Sequence, residues 1–218
     1  MRYGLIGEKL GHSWSKVIHE SFGIYTHELK ELAPEELAGF LSAREFTGIN
    51  VTIPYKKTVM QMLDEIAEDA AAVGAVNTIV NRDGKLSGYN TDMLGMEALI
   101  RRIGLDLTGK IVLILGTGGT SHTAQYVAKH MGAAKVVTVS RSGRDGSVTY
   151  ADAPRLYPDA AVILNTTPAG MFPNVDAQAI DLSLFPSLEG VADVVYNPLR
   201  TQLVQQAHTL GLPAEGGL

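Results

Sequence analysis

A chain of 218 residues, 45% apolar and 19% charged, has the material for one large domain or two small ones with buried cores. Its net charge of −5 argues against a general nucleic-acid or anionic-membrane binder, so an anionic ligand must be held by a local cluster. The lack of cysteine removes disulfides, thiolate nucleophiles and cysteine–zinc sites and fits a reducing cytoplasm. Met1-Arg2-Tyr3-Gly4 shows no signal-peptide stretch, and no apolar run approaches the roughly 20 residues of a spanning helix.

In chain order, residues 3–6 read as a short strand closed by Gly7, and 13–22 as a helix. A second strand falls at 25–29, and Pro34 suits the first position of a helix reaching about residue 43. Strand 47–53 alternates Ile49, Val51 and Ile53 before Pro54 ends it. From Val59, the residues Leu63, Ile66, Ala70 and Val73 keep helical spacing up to Gly74, with the acidic residues of 64–69 on the solvated face. Segments 77–80 and 85–89 alternate around Asn81-Arg82-Asp83-Gly84, which is hairpin turn chemistry. A helix over 92–103 then leads through Gly104 to Lys110, where the pattern changes.

Residues 111–115 are an uninterrupted apolar run of the kind seen in a strand buried on both faces. The run enters Gly116-Thr117-Gly118-Gly119-Thr120-Ser121, then a helix to about residue 131 and a second buried strand at 136–139. Further strands are expected at 161–164 and 191–195, and a helix at 201–210 with Leu203, Val204, Ala207 and Leu210 on one face. Such alternation specifies a parallel sheet covered by helices. The fold class is therefore α/β: an N-terminal α/β domain over 1–92 and a doubly wound, Rossmann-type domain over 93–210, separated by a cleft.

A glycine-rich turn between a buried strand and a helix lets the backbone approach a pyrophosphate, and the helix start offers N–H groups to it. Dinucleotide enzymes that use NAD usually carry an acid at the end of the second strand; this chain has Ser140-Arg141-Ser142-Gly143-Arg144. Arg141 and Arg144 are either solvated loop residues or a grip for a 2′-phosphate, and with no acid present the second reading selects NADP. In the first half, Asn50-Val51-Thr52-Ile53-Pro54-Tyr55-Lys56-Lys57 delivers an amide, a hydroxyl and an amine, answered downstream by Asn90-Thr91-Asp92. Lysine oriented by aspartate is a proton donor or acceptor; alone, it is as readily a surface residue. In Gly11-His12-Ser13-Trp14-Ser15-Lys16, two hydroxyls at a helix start make a seat for an anion, or Ser13 simply caps the helix. Trp14 could line the mouth of the cleft or cover the core. The six histidines form no His-x-x-x-His pair, which argues against zinc.

Together these segments resemble the shikimate dehydrogenase family, whose substrate domain carries Asn-Val-Thr-x-Pro-x-Lys and Asn-Thr-Asp at comparable spacing. The resemblance continues through Ser13-x-Ser15, Gly74-Ala75-Val76-Asn77-Thr78, Asn165-Thr166-Thr167-Pro168-x-Gly170-Met171 and Asp193-Val194-Val195-Tyr196-Asn197-Pro198, and runs from Tyr3 to Leu218. The family's Asn-Arg-Thr loop is matched by Arg141, with Arg144 displaced by one residue.

That resemblance implies a substrate-binding, catalytic domain at 1–92 and an NADP-binding domain at 93–210. The implied activity is the reversible NADPH-linked reduction of 3-dehydroshikimate to shikimate, in aromatic amino-acid and chorismate biosynthesis. Lys56 would donate a proton to the ketone oxygen, and Asp92 would position Lys56 and a ring hydroxyl. Ser13, Ser15, Thr52, Asn77, Asp92 and Tyr196 would hold the substrate. Gly116, Gly118, Gly119, Thr120, Ser140, Arg141, Arg144 and Gly217 would hold the cofactor, with no metal. Quinate dehydrogenase, aminoshikimate dehydrogenase and a non-catalytic ligand sensor are the alternatives, the last disfavoured because Lys56 and Asp92 are both retained. The expected partners are a small-molecule substrate and no nucleic acid or membrane, for a cytoplasmic monomer or homodimer. Lys16 departs from the family's frequent proline. Family members also continue beyond Gly217-Leu218 into a Met-Leu-x-x-Gln helix that returns to the substrate domain, so 211–218 reads as a truncated return segment and poor activity is expected.

Overall fold

The structure, a computed structural model, describes residues 1–11 and 13–217; His12 of the Gly-His-Ser-Trp-Ser stretch and Leu218 lie outside the described residues. The chain divides into two compact units, Met1–Thr91 and Asp92–Leu218.

The first unit contains strands β1 (Tyr3–Gly7), β2 (Glu28–Glu31), β3 (Gly48–Val51), β4 (Glu65–Ile66), β5 (Thr78–Arg82) and β6 (Lys85–Tyr89), with helices α1 (Ser15–Ser21), α2 (Pro34–Ala43) and α3 (Glu68–Val73). Its sheet runs β2-β1-β3-β5-β6-β4. Helix α2 starts at Pro34, and the Glu36 carboxylate accepts the Ala33 N–H at 2.8 Å, satisfying a donor at the helix start. Leu37 and Leu41, one turn apart, are buried with Ile6, Val51, Tyr55, Val59 and Ile79 in a core that excludes water from this face of the sheet. The hairpin turn forms as its chemistry requires: Asn81 Oδ1 accepts the Gly84 N–H at 3.0 Å, with Asp83 and Gly84 at positive φ.

The helix expected from Val59 to Gly74 is broken into three pieces: a 3₁₀ turn at Thr58–Met62, strand β4, and α3. The Asp64 carboxylate accepts the Leu86 N–H at 2.7 Å and a bidentate pair from Arg44, while β4 pairs with β6. These tertiary bonds draw the backbone out of the helix, yet Val59 and Ala70 still reach the same core, Leu63 and Ile66 pack against it, and Val73 is buried. The acids of 64–69 are therefore not one helical face. Strand β2 also begins three residues later than expected.

The second unit holds α4 (Asp92–Ile103), β7 (Ile111–Leu115), α5 (Gly119–His130), β8 (Lys135–Ser140), β9 (Val148–Thr149), α6 (Ala153–Leu156), β10 (Val162–Asn165), β11 (Gly190–Asp193), α7 (Gln202–Thr209) and β12 (Ala214–Gly216). All strand pairs in its sheet are parallel, in the order β12-β11-β10-β7-β8-β9. The chain winds outward from β7 to β9 and then restarts beside β7 at β10, so the order reverses there. Leu113, Leu115, Ile163 and Val191 from the strands pack with Leu203, Val204 and Ala207 of α7. Residues 214–216, read from sequence as part of a return segment, instead form the edge strand β12 of this sheet.

Candidate functional site

Strand register gathers the N-terminal motifs at one sheet edge. β1 and β3 are parallel and end together at the Ile6–Val51 pair. β5 runs against β3, so its first residue, Thr78, faces Asn50, and β6 ends at Tyr89 opposite Thr78. Residues 7–11, 13–15, 52–56, 77 and 90–91 therefore all leave the sheet from the same edge, on loops held by a rigid scaffold.

At this edge the Thr52 N–H donates to Ile6 O at 2.9 Å, and its carbonyl accepts the Tyr55 N–H at 3.0 Å, closing a turn. Tyr55 is buried and its hydroxyl donates to Leu32 O at 2.5 Å, which pins the turn from below. Burial raises the Tyr55 phenol above its ordinary range. Lys56 follows half-buried, its carbonyl accepting the Val76 N–H at 2.8 Å, whereas Lys57 is exposed. Asn77 is buried at the centre of a polar chain. Its Oδ1 accepts the Thr91 N–H at 2.9 Å and the Thr78 hydroxyl at 3.0 Å, and Thr78 Oγ1 accepts the Asn50 amide at 3.2 Å. Ser13 Oγ accepts the Ser15 N–H at 3.2 Å in a local turn, but the cap position of α1 is Trp14, so Ser13 is not the helix cap. Trp14 between them is about half exposed, so it does not cover the core. Lys16 sits inside α1 and pairs with Glu20 at 4.0 Å.

In the second unit, Asp92 is the first residue of α4, where a carboxylate is favoured by the helix dipole. Gly116 follows β7 at φ 105°, and a Cβ there would lie 3.0 Å from Thr167 Cγ2 and 3.1 Å from Thr166 Oγ1. Only glycine meets both demands. Gly118 is the N-cap residue of α5, with no side chain capping the first N–H groups and no acid in the first turn, and a Cβ on Gly118 would meet nothing within 4 Å. Gly119 and Thr120 are half-buried and Ser121 is buried. This leaves an uncapped, positively polarised helix start beside the strand-order reversal, a fit for a pyrophosphate.

Ser140 is buried at the end of β8. Its Oγ accepts the Gly143 N–H at 3.0 Å and bonds to Ser147 Oγ at 2.7 Å, so it shapes the loop rather than opening to solvent. That loop turns through positive φ at Gly143, Asp145 and Gly146 and leaves Arg141 and Arg144 exposed. Arg141 carries its charge close enough to Tyr150 to oppose the rise that burial gives the phenol. Tyr196, after β11, is partly exposed. The Gly217 N–H donates to Val195 O at 3.1 Å, and a Cβ on Gly217 would sit 2.4 Å from Val194 O. Among the described residues, no group of three or more His, Asp or Glu is placed to hold a metal ion. No helix among them is long and apolar enough to cross a membrane.

Two groups were not singled out from the sequence. Asp193 is fully buried: Oδ1 accepts the Asn165 amide at 2.9 Å and the Val195 N–H at 3.0 Å, and Oδ2 accepts the Thr201 hydroxyl at 2.7 Å. Burial raises its carboxyl, opposed by those bonds, and together they tie the loops after β10 and β11 to the start of α7. Its place beside Asn165 in the Asn-Thr-Thr and Asp-Val-Val motifs was the available signal. His27 is also buried and bonds to Ser15, and neither its spacing nor its neighbours marks it in the sequence.

Residues 5–79 match the family model described as the shikimate dehydrogenase substrate binding domain. A shikimate dehydrogenase (NADP(+)) of Clostridium perfringens (strain SM101 / Type A) is 36% identical over 234 residues, covering 99% of this chain and 86% of that protein. Among solved structures, shikimate dehydrogenase 1 from Peptoclostridium difficile aligns with a TM-score of 0.88 at 34% identity, over 100% of this chain and 86% of that one. Shikimate 5-dehydrogenase from Thermus thermophilus, solved in complex with NADP(H) and shikimate, aligns with a TM-score of 0.85 at 28% identity, over 98% and 86%. With 36% identity over 99% of its length, the chain belongs to the shikimate dehydrogenase family.

Proposed function

We propose that the chain is an NADP-dependent shikimate dehydrogenase in which Lys56 is the proton donor and the first sheet's edge holds the substrate. The observation that supports this most directly is the register that brings Ser13, Ser15, Thr52, Lys56 and Asn77 to one edge of that sheet. When bound, NADPH supplies the hydride for the ketone carbon of 3-dehydroshikimate. The α5 start holds its pyrophosphate through the N–H groups of 118–120, and Arg141 pairs with the 2′-phosphate, with Arg144 as the second cation. Ser140 and Gly217 serve the cofactor side by fixing the loops that approach it.

On the substrate, Ser13 and Ser15 donate to the ring carboxylate, while Thr52, Asn77 and Asp92 bond to ring hydroxyls, and Tyr196 contributes from its loop. Lys56 passes a proton to the ketone oxygen as negative charge develops there. Holding the ring so that one carbon is presented contributes on the order of 7–11 kcal/mol in favourable cases. The cytoplasm is the proposed compartment, and monomer or homodimer the proposed state. NADPH formation followed by absorbance, with shikimate against quinate and NADP against NAD, tests the reading. Turnover confined to shikimate with NADP supports it; preference for quinate would reassign the substrate, and ligand binding without turnover would favour a sensor.

A further inference from the structure

The segment from α1 to β2 contains a cluster that the mechanism above does not use. His27 is 2% exposed, and its Nε2 lies 3.1 Å from Ser15 Oγ. Its ring stacks on His19 with centroids 4.0 Å apart and planes inclined by 7°. The His27 N–H donates to Glu20 Oε1 at 3.1 Å, and His19 Nδ1 bonds to the Tyr25 hydroxyl at 2.6 Å. Ring and backbone are thus both held, so the imidazole has little freedom to turn away from Ser15.

His27 Nδ1 is buried with no hydrogen-bond partner among the described residues. A neutral imidazole has one N–H donor and one lone-pair acceptor, and an orphaned buried N–H is the rarer of the two defects. The proton therefore sits on Nε2 and is donated to Ser15 Oγ. Burial and the neighbouring His19 both disfavour a second proton, so the ring stays neutral near pH 7, although Glu20 pulls the other way. A serine oxygen that already accepts from His27 directs its own hydrogen elsewhere. Ser13 is in the same condition, because its Oγ accepts the Ser15 N–H. Both hydroxyls are supplied with a donor from inside the protein and are left to donate outward, which is the polarity a carboxylate requires. Chained hydrogen bonds of this kind strengthen one another.

We infer that His27 is a positioning residue for substrate recognition, fixing the Ser15 hydroxyl as a donor to the substrate carboxylate through the Nε2–Oγ contact. The inference rests on the proposed seating of that carboxylate at Ser13 and Ser15.

The test compares His27→Phe, which keeps a ring to stack on His19 but lacks the donor, with His27→Gln, which restores an N–H at similar reach. Each is made alone and in a Ser15→Ala background. Expected for His27→Phe is a rise of about tenfold in the KM for shikimate, with kcat and NADP affinity retained. His27→Gln should recover most of that loss, and His27→Phe should add nothing once Ser15 is alanine. For an analogue carrying hydroxymethyl in place of the carboxylate, wild type and His27→Phe should have equal KM. If His27→Phe fails to fold by its melting curve, His27→Asn, too short to reach Ser15, takes its place with the same readings. A full KM effect that persists in the Ser15→Ala background, or no effect of His27→Phe where Ser15→Ala alone raises KM, overturns the inference. If Ser15→Ala itself leaves the shikimate KM unchanged, the seating of the carboxylate is wrong.

Discussion

Asn77 holds Thr91 at two points: its side-chain oxygen accepts the Thr91 N–H at 2.9 Å, and its amide donates to the Thr91 hydroxyl at 3.0 Å. Thr91 immediately precedes Asp92 in the chain, so Asn77 fixes the last residue before the aspartate that the family motif places in catalysis. The same Oδ1 also accepts from Thr78, which makes Asn77 the hub of the edge rather than one contact among several.

Asn77→Ala removes that hub and leaves buried polar groups unpaired, so it should destabilise the protein by about 1–3 kcal/mol. Asn77→Asp keeps the acceptor for Thr91 and Thr78 but cannot donate. It should retain more stability than alanine while weakening shikimate binding through the added negative charge. Denaturant melts and shikimate titrations of the two variants check both parts; equal stability for the pair would remove Asn77 from the centre of the network.

Arg141→Ala should weaken NADP by about ten- to a hundredfold, the range for one hydrogen-bonded charge pair, while barely changing NAD. Arg144→Ala should have the smaller effect, since its match to the family loop is displaced. Fluorescence titration with both cofactors checks this; equal losses for NADP and NAD would make Arg141 a surface residue.

The long periodic elements were legible because one physical signal governs them. The apolar run 111–115 buries its side chains and the amphipathic 201–210 buries Leu203, Val204 and Ala207, and both formed close to their expected bounds, although Leu210 at the helix end is exposed. The stretch from Val59 to Gly74 was misread because its helical spacing is honoured by three different elements, each placing residues into one core. What broke it, the Asp64 bonds to Arg44 and Leu86, joins segments far apart in the chain and leaves no local trace. At the site, Thr52 and Lys56 could be named because they lie in one motif. His27 could not, because its significance arises only when the turn after α1 folds back to bring it against Ser15.

The stability of the protein should depend on pH in a way that His27 dominates. Burial, followed by the charge of His19, lowers its pKa from 6.5 to about 4, and His19 is shifted the same way by burial. Between these values the unfolded chain takes up a proton that the folded chain refuses. The stability contribution is therefore complete above about pH 6.5 and is lost as pH falls toward 4. Asp193 acts in the opposite sense from pH 3.8 upward, because its raised carboxyl binds a proton more readily when folded. Melting curves from pH 7 to pH 4 should show a steep fall in wild type and a shallower one in His27→Gln; parallel curves would show that His27 is not the group responsible.

Lys56 and Lys57 share their chemistry and differ in setting, which makes them an internal control for the proton donor. Tyr55 is pinned beneath the turn by its bond to Leu32, and Lys56 follows half-buried with its carbonyl fixed by Val76. Lys57 is exposed, and its carbonyl accepts the Met60 N–H at 3.2 Å in the 3₁₀ turn that leads away from the edge. Proton delivery is needed in the transition state, whereas the cofactor phosphates are held by other residues. Lys56→Ala should therefore lower kcat by orders of magnitude with NADP affinity nearly intact, and Lys57→Ala should change little. Asp92→Asn should impair turnover and shikimate binding together. Steady-state kinetics with separate NADP titrations checks all three variants. If Lys57→Ala loses as much as Lys56→Ala, or Lys56→Ala keeps near-native turnover, the proton comes from another group and the sensor reading gains ground.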